Sequence, residues 1–222
     1  MRHLRIAAAC AIVFHVLGLA VAFFGIRYGT PVFSVEQRMA HIATSLWGWK
    51  VAWGIWLIAA MTFVWFLATV EKAWNASGVC ARLSVIVGVA AASLDSVFDT
   101  LQIVVLPGVA RGPESQPFLA LAHFASAGGI VVANALYAIS VALMTCALGS
   151  RVSTLGRWMG WATLIAGLLL TAVGLVDDPH LPEIFAGPAI GTYMLWVAVL
   201  AWQGPPKQFA NSASDLIADE RE

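Results

Sequence analysis

Residues 93–102 read SLDSVFDTLQ, from Ser93 to Gln102, inside one of the most apolar parts of the chain. LSVIVGVAAA precedes the stretch and IVVLP follows it, so Asp95 and Asp99 stand where a bilayer-crossing helix has its middle. On insertion scales an ionised acid at a helix centre costs about 2.5–3.5 kcal/mol, and intramembrane acids mark functional sites by default. Two of them four residues apart call for a reason, and the surrounding sequence supplies part of one.

Of the 222 residues, 60% are hydrophobic and 11% charged, whereas a soluble domain of this length is nearer a quarter charged. The composition is that of a membrane protein. Basic and acidic residues number 12 each, which leaves no large basic surface to neutralise a nucleic-acid backbone. Membrane lipids and a small-molecule or ion ligand are therefore the expected partners, and nucleic acid is excluded. Cys10, Cys80 and Cys146 lie in or beside apolar runs without a Cys-x-x-Cys spacing and read as small packing residues.

About 20 apolar residues cross a bilayer as a helix. Six segments meet that length: Ile6–Ile26, Leu46–Val70, Leu83–Leu106, Phe118–Leu148, Met159–Val176 and Ile184–Trp202. The expected fold is an all-α, polytopic six-helix bundle over residues 1–203, followed by a polar tail over 204–222. Ala20-Val21-Ala22 after Arg2 and Arg5 imitates a signal-peptidase site, but the apolar run outlasts the usual signal core and reads as an uncleaved first span. The fourth segment, 31 residues long, must tilt, protrude or bend at Gly128-Gly129. WGWK and RWMGW each open the second helix of a three-helix half, in opposite directions, which hints at an inverted 3+3 repeat.

On the third span, at 100° per residue, Ser84, Asp95, Asp99 and Gln102 fall within about 60° of one another. His123, Asn134, Tyr137 and Thr145 share one side of the fourth by the same projection. Lipid is a poor environment for either stripe, so both should face the bundle interior. By a 1.5 Å rise per residue, Asp95 lies roughly 16 Å below the outer end of its span, level with His15 on the first. Lys50 comes within side-chain reach of Asp99. His15 with Asp95 and Lys50 with Asp99 are thus the expected pairs. The expected site comprises Asp95, Asp99, Gln102, His15, Lys50, His123, Asn134 and Tyr137, reached from the outer side because the inner half of the third span is apolar. Neighbouring acids on one face titrate as a coupled pair, which suits a proton, a cation or a proton-linked solute. General acid–base work on a lipid-soluble substrate is a second use of the same groups, and hydrogen bonding that only fixes helix packing is a third.

Asp177, Asp178, His180 and Glu183 crowd one outer loop, with His41 and His123 at other outer ends, but no spacing among them is a metal motif. His15 and His123 stand at different depths and do not share one haem iron. Neither a metal nor any other cofactor is expected. Trp49, Trp53 and Trp56 share a helical face, which suits interfacial anchoring and packing or an aromatic pocket. Hydrolase and phosphate-loop motifs are missing. The segments WGWKVAWGIW and ANALYAISVALM resemble small six-span bacterial membrane proteins, a resemblance that implies the span number and brings no catalytic residue.

Six spans place both termini on one side, with Arg2, Arg5, Lys72, Arg82, Arg151, Arg157, Lys207 and Arg221; Arg27, Arg38, Lys50 and Arg111 lie on the other. By the positive-inside rule the termini are expected in the cytoplasm, and the expected location is the inner membrane. Reporter fusions after Lys207 and after Asp178 should therefore report cytoplasm and periplasm respectively; both reporting the same side would refute the span count.

Overall fold

The computed structural model describes residues 1–26, 29–176, 178 and 180–205, without the side chain of Glu183. Arg27, Asp177 and most of the expected tail, including Lys207 and Arg221, lie outside the described residues. The chain is all-α and carries six helices long and apolar enough to cross a membrane, so it is a multi-pass membrane protein: Arg2–Ile26, Leu46–Ala73, Val79–Val109, Ser115–Arg151, Thr154–Val173 and Ile184–Gln203. Each covers an expected segment or most of it.

Within the first span, α1 (Arg2–Val21) continues into a widened π turn, Ala22–Ile26. α2 (Val35–Thr44) is a short helix inside what the sequence suggested was loop. Ser34 and Gln37 start it with a capping box, each side chain meeting the other residue's backbone N–H. α3 (Leu46–Ala73) is the second span. The third runs through α4 (Val79–Thr100), a π turn at Leu101–Val105 and α5 (Leu106–Val109). The fourth joins α6 (Ser115–Ser126), a π turn at Ala127–Ala133 and α7 (Asn134–Leu148). Its irregularity thus falls at Gly128-Gly129. Gly149 ends α7 at φ 53°, a conformation open to glycine. α8 (Thr154–Val173), capped by Ser153, and α9 (Leu181–Gln203) complete the bundle.

The spans form a closed ring in chain order. α1 packs on α3, α3 on α4, α4 on α7, α7 on α8, α8 on α9, and α9 returns to α1. Small residues allow this closeness, as in membranes generally: Gly88 faces Leu67, Phe63 and Ser140, and Gly167 lies against Ala138. Between α4 and α7 the serines at 84 and 140 bond reciprocally, Ser84 Oγ donating to Ser140 O at 2.8 Å and Ser140 Oγ to Ser84 O at 2.7 Å.

The ring is filled unevenly. Toward the chain termini it is solid, packed with Leu4, Phe66, Trp74, Met144, Leu148, Trp196 and Leu200. Arg151 stitches that end, its guanidinium donating to Ala147 O, Leu148 O, Trp74 O and Asn75 O. At the opposite end a smaller apolar cluster joins Ile42 of α2 to Trp49, Leu106 and Phe118. The space between the two clusters is hollow.

Ser84→Ala and Ser140→Ala should each lower the free energy of unfolding by about 1 kcal/mol, in the range found for interhelical hydrogen bonds in membranes. Because the two hydroxyls also approach each other at 3.4 Å, each single variant loses that shared contact and the double variant should lose less than the sum, measurable by equilibrium unfolding in detergent or bicelles.

Candidate functional site

The polar stripe on α4 faces inward, as its periodicity requires. Ser84, Asp99 and Gln102 are buried and Asp95 is half-buried. Ser96 and Thr100, also polar, bond back to Ala92 O and Ser96 O within their own helix, so they need no partner from another span. Tyr137 of α7 donates its hydroxyl to Asp95 Oδ2 at 3.0 Å and ties the third span to the fourth. Asp99 is only 2% exposed, yet its Oδ2 has no hydrogen-bond partner, and the same holds for Oε1 of Gln102, 4% exposed. Buried polar atoms are nearly always paired, and each exception needs an explanation.

Three π turns surround these groups, on the first, third and fourth spans. A π turn breaks the regular i→i−4 ladder and frees carbonyls, which in a membrane must find donors within the protein. Each turn has one. Trp49 Nε1 donates to Gln102 O at 2.7 Å, Asn134 Nδ2 reaches Gly129 O and Ile130 O at 3.2 Å each, and His41 Nε2 donates to Gly25 O at 2.9 Å. These side chains hold the helices open where the ring is hollow.

The resulting cavity measures about 1580 Å³, beyond the 300–1,000 Å³ of most small-molecule pockets. It extends from the loop residues Gly29, Thr30, Pro31, Asp178 and His180 down to Phe63, Val141, Thr163 and Tyr193, above the solid end. Trp49, Trp53, Trp56 and Phe98 form much of its aromatic wall. His15 lines it between Tyr193 and Trp56, with ring centroids 4.9 and 6.3 Å away, and its Nδ1–H donates to Ala11 O at 2.7 Å. Over the far end, Arg38 of α2 donates from Nε to Gly29 O at 2.9 Å and lies 5.2 Å from the centroid of the Phe118 ring. Burial pushes its guanidinium below the ordinary value, but an arginine remains charged after such a shift.

Seven of the eight expected site residues line this one cavity: Asp95, Asp99, Gln102, His15, His123, Asn134 and Tyr137. Lys50 does not. Its neighbour Trp49, turned 100° around the helix, occupies the inward position at 2% exposure and takes the contact with residue 102. The expected pairs also fail: no ion pair joins His15 to Asp95 or Lys50 to Asp99 among the described residues, since His15 bonds its own helix and Asp95 accepts from Tyr137. Nor do three His, Cys, Asp or Glu side chains come together as a metal site among those residues. Sequence reasoning missed Arg38 and Tyr193. Arg38 was visible only as a charge in an outer loop; Tyr193 is the one hydroxyl-bearing aromatic on the sixth span, which a helical projection of that span would have singled out. No family model, curated protein or solved structure matches the chain.

A cavity bordered by loop residues at one end and by the solid cluster at the other makes a directional prediction. In a variant without the native cysteines, Val131→Cys and Ile190→Cys, both in the cavity wall, should react with a membrane-impermeant thiol reagent added on the α2 side. Phe66→Cys, buried in the solid end, should resist it from both sides. Equal reaction of all three would contradict the solid end.

Proposed function

We propose that this protein binds a small solute or ion in the cavity, as a binding or transport protein of the inner membrane, with Asp95 and Asp99 accepting the ligand's charge or a proton exchanged for it. The single observation that carries this reading is Asp99: a carboxylate almost wholly buried, with an unpartnered oxygen, on the wall of a large cavity. The contrast with its neighbours is chemical. Ser84 and Ser140 satisfy each other across a helix interface and Asp95 accepts from Tyr137, as purely structural polar groups do. Asp99 leaves capacity for something from outside the chain. With the termini in the cytoplasm the cavity faces the periplasm, and transport requires the apolar plug at the terminus-bearing end to part in a second conformation. Acid–base catalysis finds less support, because among the described residues no histidine bonds to Asp95 or Asp99.

Two measurements test the reading together. Dicyclohexylcarbodiimide, an apolar carboxyl reagent, should modify Asp99 in the membrane, and Asp99→Asn should abolish that modification. The same variant should unfold within about 1 kcal/mol of the parent, whereas loss of one partner of a tight buried pair costs about 3–5 kcal/mol. Strong destabilisation with no carbodiimide adduct would mean that Asp99 serves packing alone.

A further inference from the structure

Resting on that reading, the lining of the cavity narrows the class of ligand. Asp95 and Asp99 lie in the middle of its wall, and Asp178, which accepts from His180 N, lies at its loop end with His123 and His180 also in the lining; no cation of the described residues pairs with Asp95 or Asp99. Arg38 is engaged at the far end by Gly29 O and the Phe118 ring, and His15 by Ala11 O. A second observation is independent of the acids. Gln102 Oε1 and Tyr193 OH, on side chains 4% and 5% exposed, also line the cavity without a partner. Open oxygens on Asp99, Gln102 and Tyr193 thus border one void, beside one open donor, Nε1 of Trp53.

The rest of the wall mixes small and aliphatic side chains with aromatic rings. Trp53, Trp56, Phe63 and Phe98 border the same space, and the faces of such rings attract cations through their quadrupole. A bare metal ion fits this wall poorly. It needs several oxygen or nitrogen ligands at fixed short distance, and among the described residues no group of three acidic, His or Cys side chains supplies them. The volume of about 1580 Å³ also far exceeds what a single ion fills.

We propose that the cavity takes an organic cation with an apolar or aromatic body, a protonated amine or quaternary centre, its charge beside Asp99 and Asp95 and its body against the indoles of Trp53 and Trp56. The carboxylates supply the charge selection and the rings supply area. Gln102 and Tyr193 accept from any N–H that the cation carries.

Tetraphenylphosphonium and tetraphenylborate have nearly the same shape and opposite charge, so they separate charge recognition from apolar partition. With the purified chain in nanodiscs, the rate of carbodiimide modification at Asp99 is followed by mass spectrometry with each ion, and empty nanodiscs serve as the control for partition. Saturating tetraphenylphosphonium should slow modification at least tenfold, and tetraphenylborate at the same concentration should leave it within about twofold. Trp53→Leu should raise the concentration of tetraphenylphosphonium needed for protection several-fold, with Asp99 still reactive in its absence. Equal protection by both ions would overturn the proposal, because the site would then read shape and not charge. Modification of Asp99 that neither ion slows would overturn the ligand class while leaving the binding cavity standing. Unreactive Asp99 and Asp95 in every preparation would remove the underlying reading as well. Because the comparison of the two ions uses the unaltered chain, it decides the matter even if Asp99→Asn fails to fold.

Discussion

Within the hydrocarbon of a bilayer there is no water to complete a hydrogen bond, so every buried donor and acceptor must be answered by the protein itself. Much of this molecule follows from that constraint. It turns the polar stripes of the third and fourth spans toward each other and makes Ser84 and Ser140 exchange hydroxyls for carbonyls. It also assigns Trp49, Asn134 and His41 to the carbonyls that the three π turns release. Among the described residues the buried side-chain atoms without a partner are the indole N–H groups of Trp74 and Trp196 in the solid end and, bordering the cavity, Asp99 Oδ2, Gln102 Oε1, Tyr193 OH and Trp53 Nε1. Departures of this kind concentrate at functional sites, because self-satisfied polar groups have nothing left to offer a ligand.

The hollow depends on the backbone as much as on side chains. A regular helix of the length of the fourth span would run past its neighbours with its small residues packed shut. The widened turn at Ala127–Ala133 changes the rotation of everything beyond it, and Phe98 packs directly over Gly128, where a Cβ would collide with the ring. Gly128 thus keeps an aromatic wall close to the fourth span while Asn134 secures the opened carbonyls. The cavity is a consequence of local helix geometry maintained by specific donors.

Much of this was legible in the sequence. Apolar run length gave six spans, because the thickness of the bilayer sets it and little else does. Periodicity gave the inward faces of Asp95, Asp99, Gln102, Asn134 and Tyr137, because a side chain on a helix has a fixed direction. What periodicity could not give was pairing across the ring. Depth along an axis permitted Lys50 to reach Asp99 and His15 to reach Asp95, but rotation decides such contacts, and Trp49 rather than Lys50 turned inward. The π turns were invisible apart from the glycines of the fourth span, since no residue pattern in the first or third distinguishes a five-residue turn from a four-residue one. α2 lay hidden in a loop although its capping box, Ser34 to Gln37, is plain once sought.

The ring closes in chain order, and this has a consequence for how the protein is made. Five of its six helix interfaces join consecutive spans and can form as each hairpin leaves the ribosome and enters the bilayer. The sixth, between α9 and α1, joins the first and last of these spans and must wait until α9 has been inserted. Until then the groove that becomes the cavity is open along one flank, with Asp95 and Asp99 facing an incomplete wall. Biogenesis therefore passes through a stage in which the most polar surface of the bundle is unprotected, and the last span, with Tyr193 and Trp196 on its inner face, is the element that ends that exposure.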